Sequence, residues 1–350
     1  MKYDERTLRA ALTIAGDAGS EKIGMHIAEH GICESFDMWL SGDGPQSLTH
    51  RLPNALRKAE SMIDSLPERK SRFVIPSDDE WPTPLDDLEY GAPLGLWVTG
   101  NGNLRTMSDR MVAIVGARAA TAYGERIASE LASQAAGARI VTISGAAYGI
   151  DAAAHRGSLA AGGVTVAVLA CGIDVAYPAA HAGLLERIAH DGVIISEAPF
   201  GAAPHKRHFL VRNRLIAAMS SVTVVVEAAL RSGSLSTSNW AAAINREVWG
   251  VPGPMSSATS AGVHRAIRDG VMRIMSDFTD VLNTFPAEAS VSLGAVEDRV
   301  VAVLNLAPGT VEFIAEQCAE LCSPADVVAI LTLLEVTGRA RQLEGLWSAL

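Results

Sequence analysis

The chain has few cysteines, few aromatics and no acidic residue at all in one long stretch. Its four cysteines, Cys33, Cys171, Cys318 and Cys322, are scattered over 350 residues. That spacing excludes a disulfide framework and a paired-ligand zinc site, and it implies reduced thiols in a cytoplasmic protein. No apolar run is long enough to span a bilayer, so no membrane role is expected. The N-terminus MKYDERTLRA lacks the apolar core of a signal peptide. Hydrophobic residues make up 49% and charged residues 19%, which excludes a disordered chain. A formal net charge of -10 argues against a protein that coats duplex DNA with its whole surface.

The missing acids are the sharper signal. No Asp or Glu occurs from Ala198 to Val226, yet this stretch holds Lys206, Arg207, Arg212 and Arg214, with His205 and His208 among them. Phe209 follows the first basic pair. Cations for phosphates beside an aromatic for a base are what a single-stranded nucleic-acid groove needs. A solvated helix face with a core phenylalanine would read the same way.

From Met111 to about Leu282, short apolar runs alternate with helical patterns. The runs are Met111–Val115, Arg139–Ile143, Val164–Leu169, Val193–Ser196, Val222–Val226 and Glu247–Val251. Continuous apolar strands with intervening helices predict a parallel sheet covered on both faces. Ligands of such sheets bind beyond the strands' carboxyl ends, near the point where the strand order reverses. Glycine and polar residues gather at those ends. VAIVGAR (112–118) puts Gly116 and Arg118 at one exit, and TISGAAYGIDAAAH (142–155) puts Gly145 at the next. Asp151 and His155, four apart on one helix face, fit a turn cap or a carboxylate–imidazole hydrogen bond. LACGIDVAYPAAH (169–181) places Asp174 and Tyr177 at a third exit. EAALRSGSLST (227–237) supplies Gly233, Ser234 and neighbouring hydroxyls, which suit either a phosphate nest or an N-cap.

No complete catalytic set emerges. There is no GxGxxG fingerprint, no acid where a ribose clamp belongs, no GxSxG elbow and no metal-ligand cluster. The expectation is no enzyme, no cofactor and no metal.

Residues 1–68 read as short helices with glycine breaks at Gly16–Gly19, Gly31 and 41–45. Residues 290–350 read as three helices, with Ser323 and Asp326 as a capping box, and a hairpin around Glu344–Gly345. That is a winged-helix-like pattern with few cations for reading DNA.

The ordered motifs VAIVGARxxxxYG, TISGAAYGIDAAAH, TVAVLACGIDVAYP, SEAPFGAAPHKRHFLVRNRLIAAMS, VVVEAALRSGSLST, VWGVPG and AGVHRAIRDG strongly resemble the DprA/Smf family of bacterial DNA-processing proteins. The resemblance covers residues 70–282 closely. It implies an α/β chain: an extended Rossmann-like parallel-sheet domain at 69–285, a small helical domain at 1–68 and a winged-helix-like domain at 290–350. It also implies a homodimer that binds and protects single-stranded DNA without cutting it, and loads the recombinase RecA during DNA uptake and recombination. By the same resemblance Arg118 meets a phosphate, Lys206 and Phe209 match the family's lysine and stacking aromatic, and Arg212, Asn213 and Arg214 match its RNR. With Gly116, Gly145, Arg207, Gly233 and Ser234 these make up the expected DNA-binding set. Departures are Ala117 for the usual serine, Leu210 for proline and Ala218 for glycine. A related phosphoribohydrolase would carry PGGxGTxxE, which is missing; a pure interaction scaffold would not need Arg118, Lys206 and RNR.

Overall fold

Valine- and isoleucine-rich runs become strands because a strand covered on both faces presents no polar side. The computed structural model describes residues 3–16, 18–285, 293–319, 324–343 and 345–350. Its strands are β1 (Ser71–Val74), β2 (Leu96–Gly100), β3 (Met111–Val115), β4 (Val141–Ser144), β5 (Thr165–Leu169), β6 (Val193–Ser196), β7 (Val222–Val225), β8 (Glu247–Gly250) and β9 (Arg273–Ile274). Every residue of β3, β5, β6 and β7 is buried. Among the described residues these strands form one sheet, in the order β1-β2-β6-β5-β4-β3-β7-β8-β9. The run from β6 to β9 is parallel. β2 is antiparallel to β6 on one side and to β1 on the other. After β6 the chain steps back across β3 to place β7, so the strand order reverses between β3 and β7.

The helices are α1 (Glu5–Ala15), α2 (Glu21–Leu40), α3 (Gln46–Thr49), α4 (Leu52–Asp64), α5 (Leu104–Ser108), α6 (Ala122–Gly137), α7 (Ile150–Ala160), α8 (Ala182–Asp191), α9 (Lys206–Met219), α10 (Ser234–Ala243), α11 (Ala261–Arg268) and α12 (Thr279–Leu282). α1 is built as its sequence dictates. Asp4 caps its start by accepting from Thr7 N at 2.8 Å, and Gly16 ends it with φ 86°. Gly31, expected as a break, is instead a kink with φ 77° inside α2.

Leu8, Leu12, Leu52 and Leu56 of α1 and α4 share one hydrophobic cluster with Phe73, Trp97 and Ile194 of the sheet. The Trp97 indole donates to Thr13 Oγ1 at 3.1 Å, which ties α1 to β2. A second cluster packs Leu215, Ile216 and Met219 of α9 with Val115, Val168 and Val225. α9 is therefore pressed against the sheet beneath the rim where the strand order reverses.

Chain contacts divide the protein into two compact units, Met1–Thr284 and Phe285–Leu350. The second contains α13 (Leu293–Leu306), α14 (Val311–Gln317), α15 (Pro324–Val336) and a hairpin of β10 (Ala340–Leu343) and β11 (Leu346–Ala349). Its core is Val300, Ile314, Val327, Leu331 and Trp347. Cys322, Ser323 and Glu344 lie outside the described residues. No helix of the described residues is long and apolar enough to cross a membrane.

Candidate nucleic-acid interface

A cavity of about 480 Å³ opens where β3 and β7 end, at the reversal of strand order. Gly116 and Arg118 line it from the β3 exit, and Ser232, Gly233 and Ser234 from the β7 exit. Phe209, Arg212 and Asn213 close it from α9. Gly116 is required: a Cβ there would lie 2.5 Å from Ile150 Cγ1. Arg118 is exposed, and its guanidinium carbon lies 5.0 Å from the centre of the half-buried Phe209 ring. Tyr177, from the β5 exit, has its ring centre 5.5 Å from that of Phe209. Lys206 and Arg207 are exposed in the first turn of α9. They do not line the cavity; they precede Phe209 on the same helix turn. Sequence reasoning gave Arg231, which also lines the cavity, no role. Its position beside the Ser232–Ser234 turn was the available signal.

The RNR triplet behaves differently from expectation. Arg212 is 6% exposed, and its guanidinium donates to Gly145 O at 3.0 Å and to Val168 O. It thereby ties together the exits of β4 and β5. A Cβ on Gly145 would lie 2.3 Å from that guanidinium, so Gly145 makes room for an arginine and not for a ligand. Asn213 Nδ2 donates to Gly233 O at 3.2 Å and fixes the β7 loop. Arg214, expected to touch DNA, is corrected by its burial at 2% exposure. Its guanidinium makes a two-pronged pair with Glu197 at 2.5 and 2.7 Å, and Nε donates to Gly91 O at 2.8 Å. Three successive residues thus anchor loops from different exits of the sheet.

Burial governs the titration of this layer. It pushes the Arg212 guanidinium down to about 10, against the upward pull of Asp151. Burial raises the Asp151 carboxyl above the usual carboxylate range, with Arg212 opposing. Asp151 Oδ2 accepts from Ala147 N at 3.3 Å, so it caps the turn before α7. It does not hold His155, whose Nδ1 meets Thr165 Oγ1 at 2.7 Å. Buried His155 is pushed down to about 3 and is neutral at pH 7. Asp174 Oδ1 accepts from Gly201 N at 2.8 Å, a loop tie between the β5 and β6 exits.

Helix N-termini in such folds attract anions. Here α6 already holds one. Glu227, 2% exposed, accepts from Thr121 N at 2.9 Å, Thr121 Oγ1 at 2.7 Å and Thr259 Oγ1 at 3.1 Å. A Cβ on Gly124 would lie 2.4 Å from its Oε2. This carboxylate is spent on the fold. Among the described residues no cluster of three or more His, Cys, Asp or Glu could hold a metal ion. The arrangement places exposed cations, a ring and hydroxyls around a cavity.

The chain is similar to known proteins in sequence and fold. A family model described as DNA recombination-mediator protein A matches residues 72–286. The putative DNA processing protein DprA of Mycobacterium tuberculosis is 40% identical over 84% of this chain and 80% of its own length. The crystal structure of DprA from Streptococcus pneumoniae aligns with TM-score 0.69 at 30% identity, covering 82% of this chain and 99% of that one. A Helicobacter pylori DprA structure, described in terms of its single-stranded DNA binding mode, aligns with TM-score 0.54 at 28% identity. It covers 61% of this chain and 94% of that one.

Proposed function

Because the chain belongs to the DNA recombination-mediator protein A family and so serves in DNA processing, we propose that it binds single-stranded DNA along the rim at the β3 and β7 exits. The observation that carries the reading is the Arg118–Phe209 pair at the mouth of the cavity, a cation and a ring 5.0 Å apart on a solvent-facing edge. Arg118 and Lys206 serve the backbone phosphates, with Arg207 beside them. Phe209 serves a base. Gly116, Gly233, Ser234 and Asn213 shape the cavity floor, while Arg212, Arg214 and Gly145 hold the loops in place. The protein acts in the cytoplasm by covering DNA and handing it to RecA as a homodimer, and it cuts nothing. The commitment of Glu227 to Thr121 and Thr259 supports this over a phosphoribohydrolase, which needs a free carboxylate at such a rim. Residues 1–68 are read as a helical domain, 69–285 as the extended Rossmann-like DNA-binding domain and 290–350 as a winged-helix-like domain, and limited proteolysis tests those boundaries.

The test is a titration of oligo-dT and of blunt duplex of equal length at matched salt, with nucleoside-monophosphate hydrolysis assayed on the same preparation. The reading expects tighter binding to the single strand, weakening as salt rises through counterion release, and no hydrolysis. Equal affinity for both DNAs, or hydrolysis, would overturn it.

A further inference from the structure

The aromatic surface of the rim is wider than one ring. Phe209 comes from the first turn of α9, and Tyr177 comes from the segment after β5. Their ring centres lie 5.5 Å apart and their planes meet at 52°. Tyr177 is 40% exposed, a large ring that the fold leaves uncovered. The loop that carries it is held on its N-terminal side. Gly172 N donates to Ala202 O at 2.9 Å, and Asp174 Oδ1 accepts from Gly201 N at 2.8 Å. The ring therefore sits on a pinned loop beside a second ring and has an open face. Tyrosine is well suited to such a place, because it offers a rigid π-face with few rotatable bonds to fix.

Resting on the reading that a single strand crosses this rim, we propose that Tyr177 is a second base platform. It stacks the nucleotide adjacent to the one on Phe209, and so selects against duplex. The angle decides the selectivity. Neighbouring bases in a duplex lie parallel, about 3.4 Å apart along the strand. Two bases on planes that meet at 52° cannot stack on one another. A strand that uses both platforms must turn its backbone at this step and give up one base–base stack, regaining two base–aromatic stacks. A single strand makes that turn freely. A duplex must also open its pairing. Arg118, beyond Phe209, sets the start of the path, so the strand runs from the cavity mouth over Phe209 towards the β5 exit.

Full-length Tyr177→Leu and Tyr177→Trp variants test this by titration with oligo-dT and blunt duplex. Leucine keeps apolar bulk against Phe209 but has no π-face. Tryptophan keeps the face. Leucine should weaken oligo-dT binding about tenfold, leave duplex binding unchanged and lower the single-strand preference by the same factor. Tryptophan should bind as wild type does. Circular dichroism of oligo-dA should show base–base stacking lost on binding to wild type and less of it lost with Tyr177→Leu. Wild-type affinity in Tyr177→Leu, beside weakened binding in Phe209→Ala, would overturn the second platform and leave the interface standing. Wild-type affinity in Arg118→Ala, Phe209→Ala and Tyr177→Leu alike would remove the interface itself. Equal losses for single strand and duplex in Tyr177→Leu would overturn the selectivity claim.

Discussion

Replacing Arg214 with alanine should destabilise the protein far more than it weakens contact with DNA. Arg214 is 2% exposed and its ion-pair partner Glu197 is 7% exposed. Alanine removes both prongs of the pair, at 2.5 and 2.7 Å, and the Nε bond to Gly91 O at 2.8 Å. It leaves a buried carboxylate without its counter-charge. Breaking a buried pair on one side costs about 3–5 kcal/mol. In a unit of this size each kcal/mol shifts the melting temperature by roughly 2–4 °C, so the expected drop is roughly 6–20 °C. The double variant Glu197→Leu/Arg214→Met removes the stranded charge and should recover much of that loss, because a buried pair is often no better than matched apolar packing. The assay is a thermal melt of the full chain, with oligo-dT titrated at a temperature where every variant is folded. An Arg214→Ala protein that melted like wild type while losing oligo-dT affinity would refute the reasoning and return Arg214 to the interface.

Arg118→Ala should do the reverse: weaker oligo-dT binding with a flatter salt dependence, by about one unit of slope, and a melting temperature close to wild type, since its side chain faces solvent. An unchanged salt slope would remove Arg118 from the phosphate path. Phe209→Ala should lose about one to two decades of affinity for oligo-dT and melt well above Arg214→Ala, because its ring is only half-buried against Arg118 and Tyr177; early melting with full affinity would make it a packing residue. Stability should fall with acidification through His155. Its folded value of about 3 lies below the unfolded 6.5, so the unfolded chain alone takes a proton as pH drops below 6.5. The stabilisation is complete above that point and about 2 kcal/mol has gone by pH 5. His155→Asn should remove that part of the slope, and matching pH-melting curves for the two proteins would count against it.

The alternation of strands and helices was legible because a strand in a covered parallel sheet is apolar along its whole length, as Met111–Val115 and Val222–Val225 are. Strand order was not legible, since the step back across β3 to β7 leaves no local periodicity. The acid-free stretch correctly marked the rim helix, but the two acids that bound it looked like mere boundaries. Both have jobs: Glu197 pairs with Arg214, and Glu227 caps α6 through Thr121. Those partnerships span 17 and 106 residues, beyond any helix-spacing rule. Arg212 and Arg214 misled for a related reason. Two residues apart on a helix, they point in nearly opposite directions, so one solvated face could not hold both. The helix is instead covered all round from Arg212 to Met219, and each arginine finds carbonyls or a carboxylate on its own side.

That division gives α9 two functions in series. Its first turn, which exposes Lys206 and Arg207 and half-buries Phe209, is the part proposed to meet DNA; its middle, Arg212 to Arg214, holds the β4, β5, β6 and β7 exit loops. Loss of DNA binding on mutation of the RNR triplet is therefore ambiguous by itself. A contact residue lowers affinity in a protein that still melts normally. An anchoring residue releases loops from several strands at once, so affinity falls together with the melting temperature. Asn213→Ala is the sensitive case, because it frees only the Gly233 carbonyl at 3.2 Å. Loss of one such neutral bond costs about 1 kcal/mol, a shift of roughly 2–4 °C. An affinity loss without that shift would place Asn213 against the DNA; the two together would make the whole triplet the frame on which the first turn of α9 is presented.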